Sequence, residues 1–362
     1  MIPLLFEKDS REFKHLGLGA LPSWIEDTIE VVEERNGEFY LQGELPVGAL
    51  HVDQLAYERI ILAAPAPGMP AQPFRIQPFS KPPESDTIKI VAKHVSYQLT
   101  KHIAKPNNFA TASAQEAMSW AFDSGHMVPQ LDGKFTFESD ITLLNLVQYK
   151  HMEPLNVRAA LGGVKDSMTD LFGGELEWDR WTVRLLKSRG RDNGKIIRYA
   201  QNLDTLSFDI DDSDLVTGYY GWWRNSETGA FNDAIVYKSN VNDFAYARVQ
   251  PVDLSGKVDF DEETQLTPTD AEMLSALQDY VDAQDSNHLR TCINVTAVPD
   301  DLQDVHLCDT VTAIHPGYDL QQKAKVVRTV FDPIKERYKE VTIGELQRTI
   351  TDTIAGLLRG VK

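Results

Sequence analysis

Phe172–Leu203, FGGELEWDRWTVRLLKSRGRDNGKIIRYAQNL, constrains the fold more than any other stretch of the chain. A preceding apolar helix should end at its Gly-Gly pair, because glycine accepts the backbone conformation that closes a helix. Apolar and polar residues then alternate over 175–179 and again over 181–186, which is typical of half-buried strands. Asn193-Gly194 supplies the positive φ that a tight reversal needs. The stretch therefore predicts strands that run out and back around the charged turn 189–194, in a domain of helices and strands.

Length and composition narrow the class of protein. At 362 residues the chain is long enough to bury two or more cores. A hydrophobic share of 42% and a charged share of 25% are typical of a soluble globular chain. No apolar run approaches the roughly 20 residues that cross a bilayer, so we expect no membrane segment. Cys292 and Cys308 lie in strand-like settings, where buried free thiols are favoured although a bridge is possible.

The charge balance argues against one class of function. There are 36 basic and 54 acidic residues, for a net charge of −18. Sequence-independent binding to nucleic acid depends on neutralising phosphates, so a field of this sign opposes it. It leaves open a channel through which DNA passes without binding.

The first 99 residues are predicted to form strands joined by tight turns. Thr28–Glu34 and Glu38–Leu45 flank Asn36-Gly37, a strong hairpin signal. A two-residue loop would pair Val32 with Leu41. It would place four residues on one core face: Val32, Phe39, Leu41 and Leu45. Several short strands without a convincing helix favour a barrel or a closed sandwich.

Helices are predicted from residue 100 onward. Ser113 and Glu116 match a capping box, and Gly125 is expected to close that helix. Val157–Phe172 is a second helix, in which two consecutive glycines could cause a break. A third is expected over Pro268–Gln284, capped by Thr267. The end of the chain has an apolar stripe that includes Ile350, Ile354 and Leu357. This last helix either packs on its own domain, which we favour, or begins a trimeric stalk.

The candidate catalytic and metal-binding motifs are all incomplete. Ala121–Gly125 resembles the loop of an aspartic protease, but a dyad needs a second carboxylate, and Asp309 lies in a poor match. Asp209–Asp214 has the acidic character of a calcium loop but lacks the glycine at its sixth position. His306 and Cys308 lack a third orienting group. We therefore predict no catalytic residue, no metal site and no cofactor.

An aromatic cluster is the candidate interface. It comprises Tyr219, Tyr220, Trp222 and Trp223. Strand alternation sends Tyr219 and Trp223 to one face and Tyr220 and Trp222 to the other, so at least one pair should be core. The other pair is expected at an interface, since aromatics are enriched in interface cores. A sugar platform is the alternative use.

Several motifs resemble, in order and spacing, the hub module of phage tail-associated lysins, the prophage tail endopeptidase family. They are EERNGEFYL (33–41), QPFRI (72–76), HVSYQL (94–99), the stretch 172–203, LCDTVT (307–312), KVVRTVFD (325–332) and RYKEVTIG (337–344). Agreement is poorest between Trp222 and Asp285.

The resemblance implies a mixed α+β, β-rich fold with two similar β-barrel domains and smaller α/β domains, assembling as a ring-shaped trimer. The corresponding division is a first β-barrel domain (1–99), an α/β domain (100–204), a second β-barrel domain (205–240 and 290–344), an inserted small domain with one helix (241–289) and a C-terminal amphipathic helix (345–362).

The function that the resemblance implies is structural. Three copies would form a ring or plug at the distal tail end, docked to a hexameric distal tail protein, with the tape-measure protein and DNA on the axis. The chain would be made in the host bacterial cytoplasm and reside in the virion tail tip or baseplate. In the family, lytic activity belongs to separate C-terminal domains, so we expect no enzyme. The alternatives are a peptidoglycan-degrading endopeptidase using carboxylates such as Asp123 and Glu175, and a receptor- or polysaccharide-binding module centred on Trp222 and Trp223.

Overall fold

The protein is β-rich with few helices, as expected from the sequence. The computed structural model describes residues 1–80, 85–130, 135–198, 206–211, 215–225, 228–255, 258, 267–282, 290–296, 302–315 and 320–344. The chain divides into two compact units: a larger one of residues 1–208 and 293–346, and a smaller one of residues 209–292 and 347–362. The two-barrel arrangement and the five-part division stay predictions. No helix in the described ranges is long and apolar enough to cross a membrane.

The strands of the first half of the chain belong to the larger unit. They are β1 (Leu4–Phe6), β2 (Gly19–Ala20), β3 (Glu30–Glu34), β4 (Phe39–Pro46), β5 (Ile60–Ala63), β6 (Gln72–Ile76), β7 (Thr87–His94), β8 (Ile103–Ala104), β9 (Asn107–Ser113), β10 (Met127–Val128), β11 (Thr136–Ser139), β12 (Thr142–His151), β13 (Leu155–Asn156), β14 (Glu175–Asp179), β15 (Thr182–Leu186) and β16 (Asp192–Arg198).

The remaining strands and the helices complete the described structure. The strands are β17 (Leu206–Asp211), β18 (Gly218–Arg224), β19 (Phe231–Tyr237), β20 (Val249–Asp253), β21 (Arg290–Thr296), β22 (Thr310–His315), β23 (Leu320–Asp332) and β24 (Arg337–Gly344). The α-helices are α1 (Ala114–Ala121), α2 (Val157–Leu161), α3 (Met168–Phe172) and α4 (Asp270–Asp282), with 3₁₀ turns at Val52–Gln54, Val95–Lys101 and Val241–Asp243.

One large sheet joins the two ends of the chain. Its strand order is β17-β21-β24-β23-β3-β4-β7-β6-β5-β1-β2, and β22 pairs with both β23 and β16. Strand β3, near the start of the chain, lies antiparallel between β4 and β23. Because β3 and β23 are about 300 residues apart, this pairing depends on the tertiary fold rather than on any local pattern.

The predicted register of the first hairpin is wrong by one residue. Glu34 N donates to Glu38 O at 2.8 Å, so the loop has three residues, with Asn36 at φ 57°. Val31 then pairs with Leu41, and Glu33 with Phe39. A shift of one residue exchanges the faces of a strand. Val31 rather than Val32 therefore shares a face with Phe39 and Leu41, and Glu33 is buried on that face. Val32 is also buried, but on the opposite face.

The reversal inside 172–203 also lies elsewhere than predicted. Strands β14 and β15 form an antiparallel hairpin that turns at Arg180, whose φ is 54°. Residues 189–194 are not that turn. Residues 189–191 precede β16, and residues 192–194 belong to it. Strand β16 pairs in parallel with β22, more than 100 residues later. Gly194 does have a positive φ, 65°, but it lies within β16.

The first predicted helix is confirmed at its start but not at its end. Ser113 Oγ accepts from Glu116 N at 3.3 Å and begins α1, as predicted. The helix ends at Ala121, before Gly125. The Asp123 carboxylate organises that turn, because Oδ1 accepts from the backbone N of Gly125 (2.6 Å) and His126 (2.9 Å).

The helix predicted over 157–172 begins and ends at the predicted residues and is broken as its glycines suggested, whereas the helix predicted over 268–284 begins later than expected. Gly162 and Gly163 separate α2 from α3. In α4 the cap is Thr269 rather than Thr267: its hydroxyl accepts from Glu272 N at 3.3 Å, and its N–H donates to the Glu272 carboxylate at 2.7 Å. This reciprocal pair is a complete capping box.

The smaller unit is built on a three-stranded sheet. Strand β18 lies between β19 (antiparallel) and β20 (parallel). One face of this sheet packs on α4 and forms a separate core of Tyr219, Trp223, Val252, Leu254, Val258, Met273, Leu277 and Val281. The predicted C-terminal helix (345–362) lies outside the described residues.

Candidate functional site

A buried charge network holds the larger unit together where segments distant in sequence meet. Arg189 Nη2 lies 2.8 Å from Glu33 Oε1, and both side chains are at most 10% exposed. Glu175 accepts from Arg189 N at 2.8 Å and from Lys325 Nζ at 2.6 Å. Burial alone would lower the pKa of Arg189, but the Glu33 carboxylate raises it above its ordinary value. Separating these segments would leave buried charges uncompensated, which is energetically costly. The network therefore opposes opening of this junction.

Another buried carboxylate, that of Asp309, fixes β16 against β22. Asp309 is 2% exposed and accepts from Arg191 N at 2.8 Å and from His306 N at 2.9 Å. Thr310 N donates to Arg191 O at 3.0 Å across the same junction. Asp309 therefore caps backbone groups, which is a structural role.

Cys308 is a buried free thiol in this junction. Burial raises its pKa to about 12, so the thiolate that a nucleophile requires is disfavoured. His306 does not orient it: its Nε2 lies 3.2 Å from Pro67 O and its Nδ1 lies 3.8 Å from Asp309. The pair has the geometry of packing rather than of covalent catalysis.

The carboxylates considered for hydrolysis are not assembled into a dyad. Asp123 lies at the end of α1, where slight burial opposes but hydrogen bonds from His126 and Gly125 produce a pKa below the ordinary value. Glu175 is buried, and its charged and polar contacts are with Arg189, Lys325 and Arg35. The two share no contact, whereas a proton-sharing dyad requires adjacent carboxylates.

The described part of the chain also bears on the predicted absence of a metal site. Within the ranges that the structure describes, no three His, Cys, Asp or Glu side chains are placed to hold a metal ion. Of the acidic stretch 209–214, residues 209–211 belong to β17 and 212–214 lie outside those ranges.

The aromatic cluster is divided between the two faces of the small sheet, as alternation predicts. Tyr219 and Trp223 are 1% and 2% exposed in the core. Tyr220 and Trp222 lie on the opposite face. Tyr220 donates its hydroxyl to the Asp233 carboxylate, and this bond raises the tyrosine pKa. The neighbouring strand β19 carries three exposed apolar or aromatic residues: Phe231, Ile235 and Tyr237. The interface assigned to Tyr219, Tyr220, Trp222 and Trp223 stays a prediction, and Ile350, Ile354 and Leu357 lie outside the described residues.

Sequence reasoning missed the charge network. Glu33 was expected on the outer face, because the hairpin loop was counted as two residues rather than three. Arg189 was assigned to a charged hairpin turn. Counting the loop correctly would have placed Glu33 beside Phe39, and a carboxylate on an apolar face signals a paired partner.

One family model matches part of the chain. Residues 191–354 match the family model for the prophage endopeptidase tail. The predicted resemblance is confirmed. No curated protein matches the chain at a significant level.

Solved structures match over almost the whole chain. Prophage tail protein gp18 from Listeria monocytogenes EGD-e is 18% identical, with a TM-score of 0.61 and 99% of each chain covered. The 43 kDa tail protein of prophage MuSo2 from Shewanella oneidensis is 10% identical, with a TM-score of 0.59 over 96% of this chain and 98% of that one. A tail protein from Neisseria meningitidis MC58 is 9% identical, with a TM-score of 0.56 over 95% and 96%. At these identities the likeness establishes the fold alone.

Proposed function

We propose that this chain is a structural hub of a phage tail tip or baseplate. Three copies form a ring or plug that joins the distal tail protein ring to the tail tip and gates the passage of DNA. The family match over residues 191–354 carries this proposal. The likeness to tail-protein folds supports it, because it extends through the 190 residues before that match.

A mechanical role fits the chemistry of the larger unit. Three of its buried carboxylates, Glu33, Glu175 and Asp309, are occupied by ion pairs or backbone N–H groups from distant segments. Groups held in this way stiffen a junction and are poorly placed to exchange protons with a substrate. The net charge of −18 disfavours adhesion to DNA passing along an axis.

The partners follow from the same proposal. The hub would contact a second and third copy of itself, the hexameric distal tail protein above it and the end of the tape-measure protein. The two similar barrels (1–99, and 205–240 with 290–344) would give the trimer six similar positions against the hexamer. Activity against peptidoglycan would belong to other domains.

Mass in solution tests the assembly. One chain is 40.7 kDa, so a trimer would be about 122 kDa. We expect sedimentation velocity to give the larger mass, and electron microscopy of that species to show a ring. Co-sedimentation with the distal tail protein of the same phage should yield a joint complex. A chain that stays monomeric at every concentration and degrades cell walls would instead support the endopeptidase alternative.

A further inference from the structure

The three-stranded sheet of the smaller unit has one face packed on a helix and one face exposed. Helix α4 packs on the face that carries Tyr219 and Trp223. Strand register places seven apolar or aromatic side chains on the opposite face, which we call the outer face: Tyr220, Trp222, Phe231, Ile235, Tyr237, Val249 and Pro251. Four of them are between 44% and 52% exposed: Phe231, Ile235, Tyr237 and Val249. Contiguous exposed apolar surface of this kind marks an interaction site.

The outer face is continuous across the three strands. Tyr220 lies between Ile235 and Pro251, and Gly218 lies beside Tyr237. The Tyr237 ring packs over Gly218, since a Cβ built on that glycine would lie 2.8 Å from it. Strands β18 and β19 have seven residues each, which makes the face about 23 Å long. The axes of the two outer strands are about 10 Å apart.

The chain itself contains a segment whose dimensions match this face. Residues 345–362 follow β24 and carry an apolar stripe at helical spacing: Leu346, Ile350, Ile354, Leu357 and Val361. As an α-helix, the stretch from Leu346 to Val361 would be about 24 Å long and about 10 Å across. One such helix is therefore sufficient to cover the outer face.

Charge and chain organisation favour the same pairing. Residues 209–292 contain 17 acidic and 5 basic residues, whereas residues 347–362 contain one acidic and three basic residues. The two parts therefore attract each other, although the whole chain is strongly acidic. On the outer face, Trp222 lies between Asp233 and Asp253, which bring carboxylates to that end of the sheet. Residues 347–362 belong to the same compact unit as this sheet.

We propose that residues 345–362 form an α-helix that covers the outer face of the small sheet in the same chain. The stripe of Ile350, Ile354 and Leu357 packs on Tyr220, Trp222 and their neighbours, so the sheet is enclosed between two helices. The segment then covers its own unit rather than beginning a trimeric stalk. This assignment does not depend on the hub proposal, because it concerns contacts within one chain.

Cross-linking of the full-length chain tests which surface the segment covers. In a Cys292→Ala background, Ile235→Cys places a thiol on the outer face and Ile354→Cys places one on the stripe, while the native Cys308 is buried. We expect a short bis-maleimide to join the two new thiols within one chain. Docking gives them an effective concentration on the order of millimolar, well above the concentration of the protein. Proteolysis and mass spectrometry would identify the joined peptides.

The matched control moves the second thiol to the other side of the helix. Asp352 lies two residues from both Ile350 and Ile354, which places it opposite the stripe. Ile235→Cys combined with Asp352→Cys should therefore give severalfold less within-chain product than the pair with Ile354→Cys.

A second measurement follows exposure of the outer face. Ile354→Lys introduces a charge into the stripe, and Asp352→Lys introduces the same side chain opposite it. We expect Ile354→Lys to raise the binding of anilinonaphthalene sulfonate, a dye for exposed apolar surface, severalfold. It should also shift tryptophan emission to longer wavelength, and adding Trp222→Phe should remove that shift. Asp352→Lys should resemble the parent in both measurements.

Three results would overturn the assignment. The first is absence of the within-chain product, whether the thiols stay free or join two chains, as a stalk or a second copy on the face would require. The second is an equal within-chain yield from the Ile354→Cys and Asp352→Cys proteins. The third is equal dye binding by Ile354→Lys and Asp352→Lys. A within-chain product has the same meaning in a monomer and in a trimer, so failure here is distinguishable from failure of the hub proposal.

Discussion

Gly190 is the position at which one added methyl group should be most damaging. A Cβ built there would lie 2.0 Å from Cys308 O, 2.1 Å from Cys308 C and 2.3 Å from Asp309 N. Non-bonded carbon atoms normally rest about 3.5–4 Å apart. All three obstructing atoms are backbone, so no change of rotamer relieves the overlap. Gly190→Ala must therefore push the segment that leads into β16 away from the segment that leads into β22.

The contacts at that junction set the loss of unfolding free energy in Gly190→Ala. Separation by more than an ångström breaks the bonds from Arg191 N to Asp309 Oδ1 (2.8 Å) and from Thr310 N to Arg191 O (3.0 Å). Each is worth about 1 kcal/mol, and overpacking adds about 1–3 kcal/mol. Reduced freedom of the unfolded chain returns about 0.4–1 kcal/mol. The net expectation is a loss of about 2–4 kcal/mol of unfolding free energy.

Urea unfolding followed by tryptophan fluorescence would measure this loss, with hydrogen exchange over residues 307–315 to localise it. Localisation matters because the chain has two compact units that need not unfold together. Gly48→Ala is the matched control, since no atom lies within 4 Å of its Cβ, and it should stay within about 0.5 kcal/mol of the parent. A Gly190→Ala midpoint equal to that of Gly48→Ala would refute the close packing of the two segments that lead into β16 and β22.

Three further perturbations probe buried polar groups. Tyr338→Phe removes the hydroxyl that donates to Val305 O at 2.8 Å, and should lower the unfolding free energy by about 1–2 kcal/mol in urea titrations; an unchanged midpoint would contradict that bond. Burial holds the pKa of His94 well below its usual 6.5, so the unfolded chain binds the extra proton. Stability should therefore fall as pH drops below about 6.5, and His94→Gln should lessen this pH dependence; equal slopes in the two proteins would be the negative result. Burial raises the pKa of Cys308 to about 12. In a Cys292→Ala background, Cys308 should therefore resist alkylation at pH 8 until denaturant is added. Rapid labelling of the folded protein would disprove its burial.

Local signals predicted the parts of the fold that local forces control. Ser113 begins α1 because its hydroxyl satisfies an N–H three residues ahead, which is a property of neighbouring residues. The breaks at Gly162 and Gly163 and the alternation of Tyr219 with Tyr220 are of the same kind. The end of α1 was missed because Asp123, rather than a glycine, satisfies the turn.

Errors arose where one extra residue or a distant partner decided the outcome. The first hairpin has a third loop residue, which places Val31 rather than Val32 on the same face as Leu41. Glu33 is buried on that face as well. Because side chains alternate strictly along a strand, that single count inverts a whole face. Residues 189–194 read as a hairpin turn, since nothing nearby indicates that β16 pairs with β22.

The amino-acid order by itself determined the β-rich class, the cap that begins α1 and the resemblance to the prophage tail family, because these depend on spacing within short windows and on motifs in a fixed order along the chain. Tertiary structure alone decided which carboxylates became buried and how both ends of the chain came to share one sheet. Those features need segments hundreds of residues apart to meet, and the free energy that brings them together comes from packing that no short window contains.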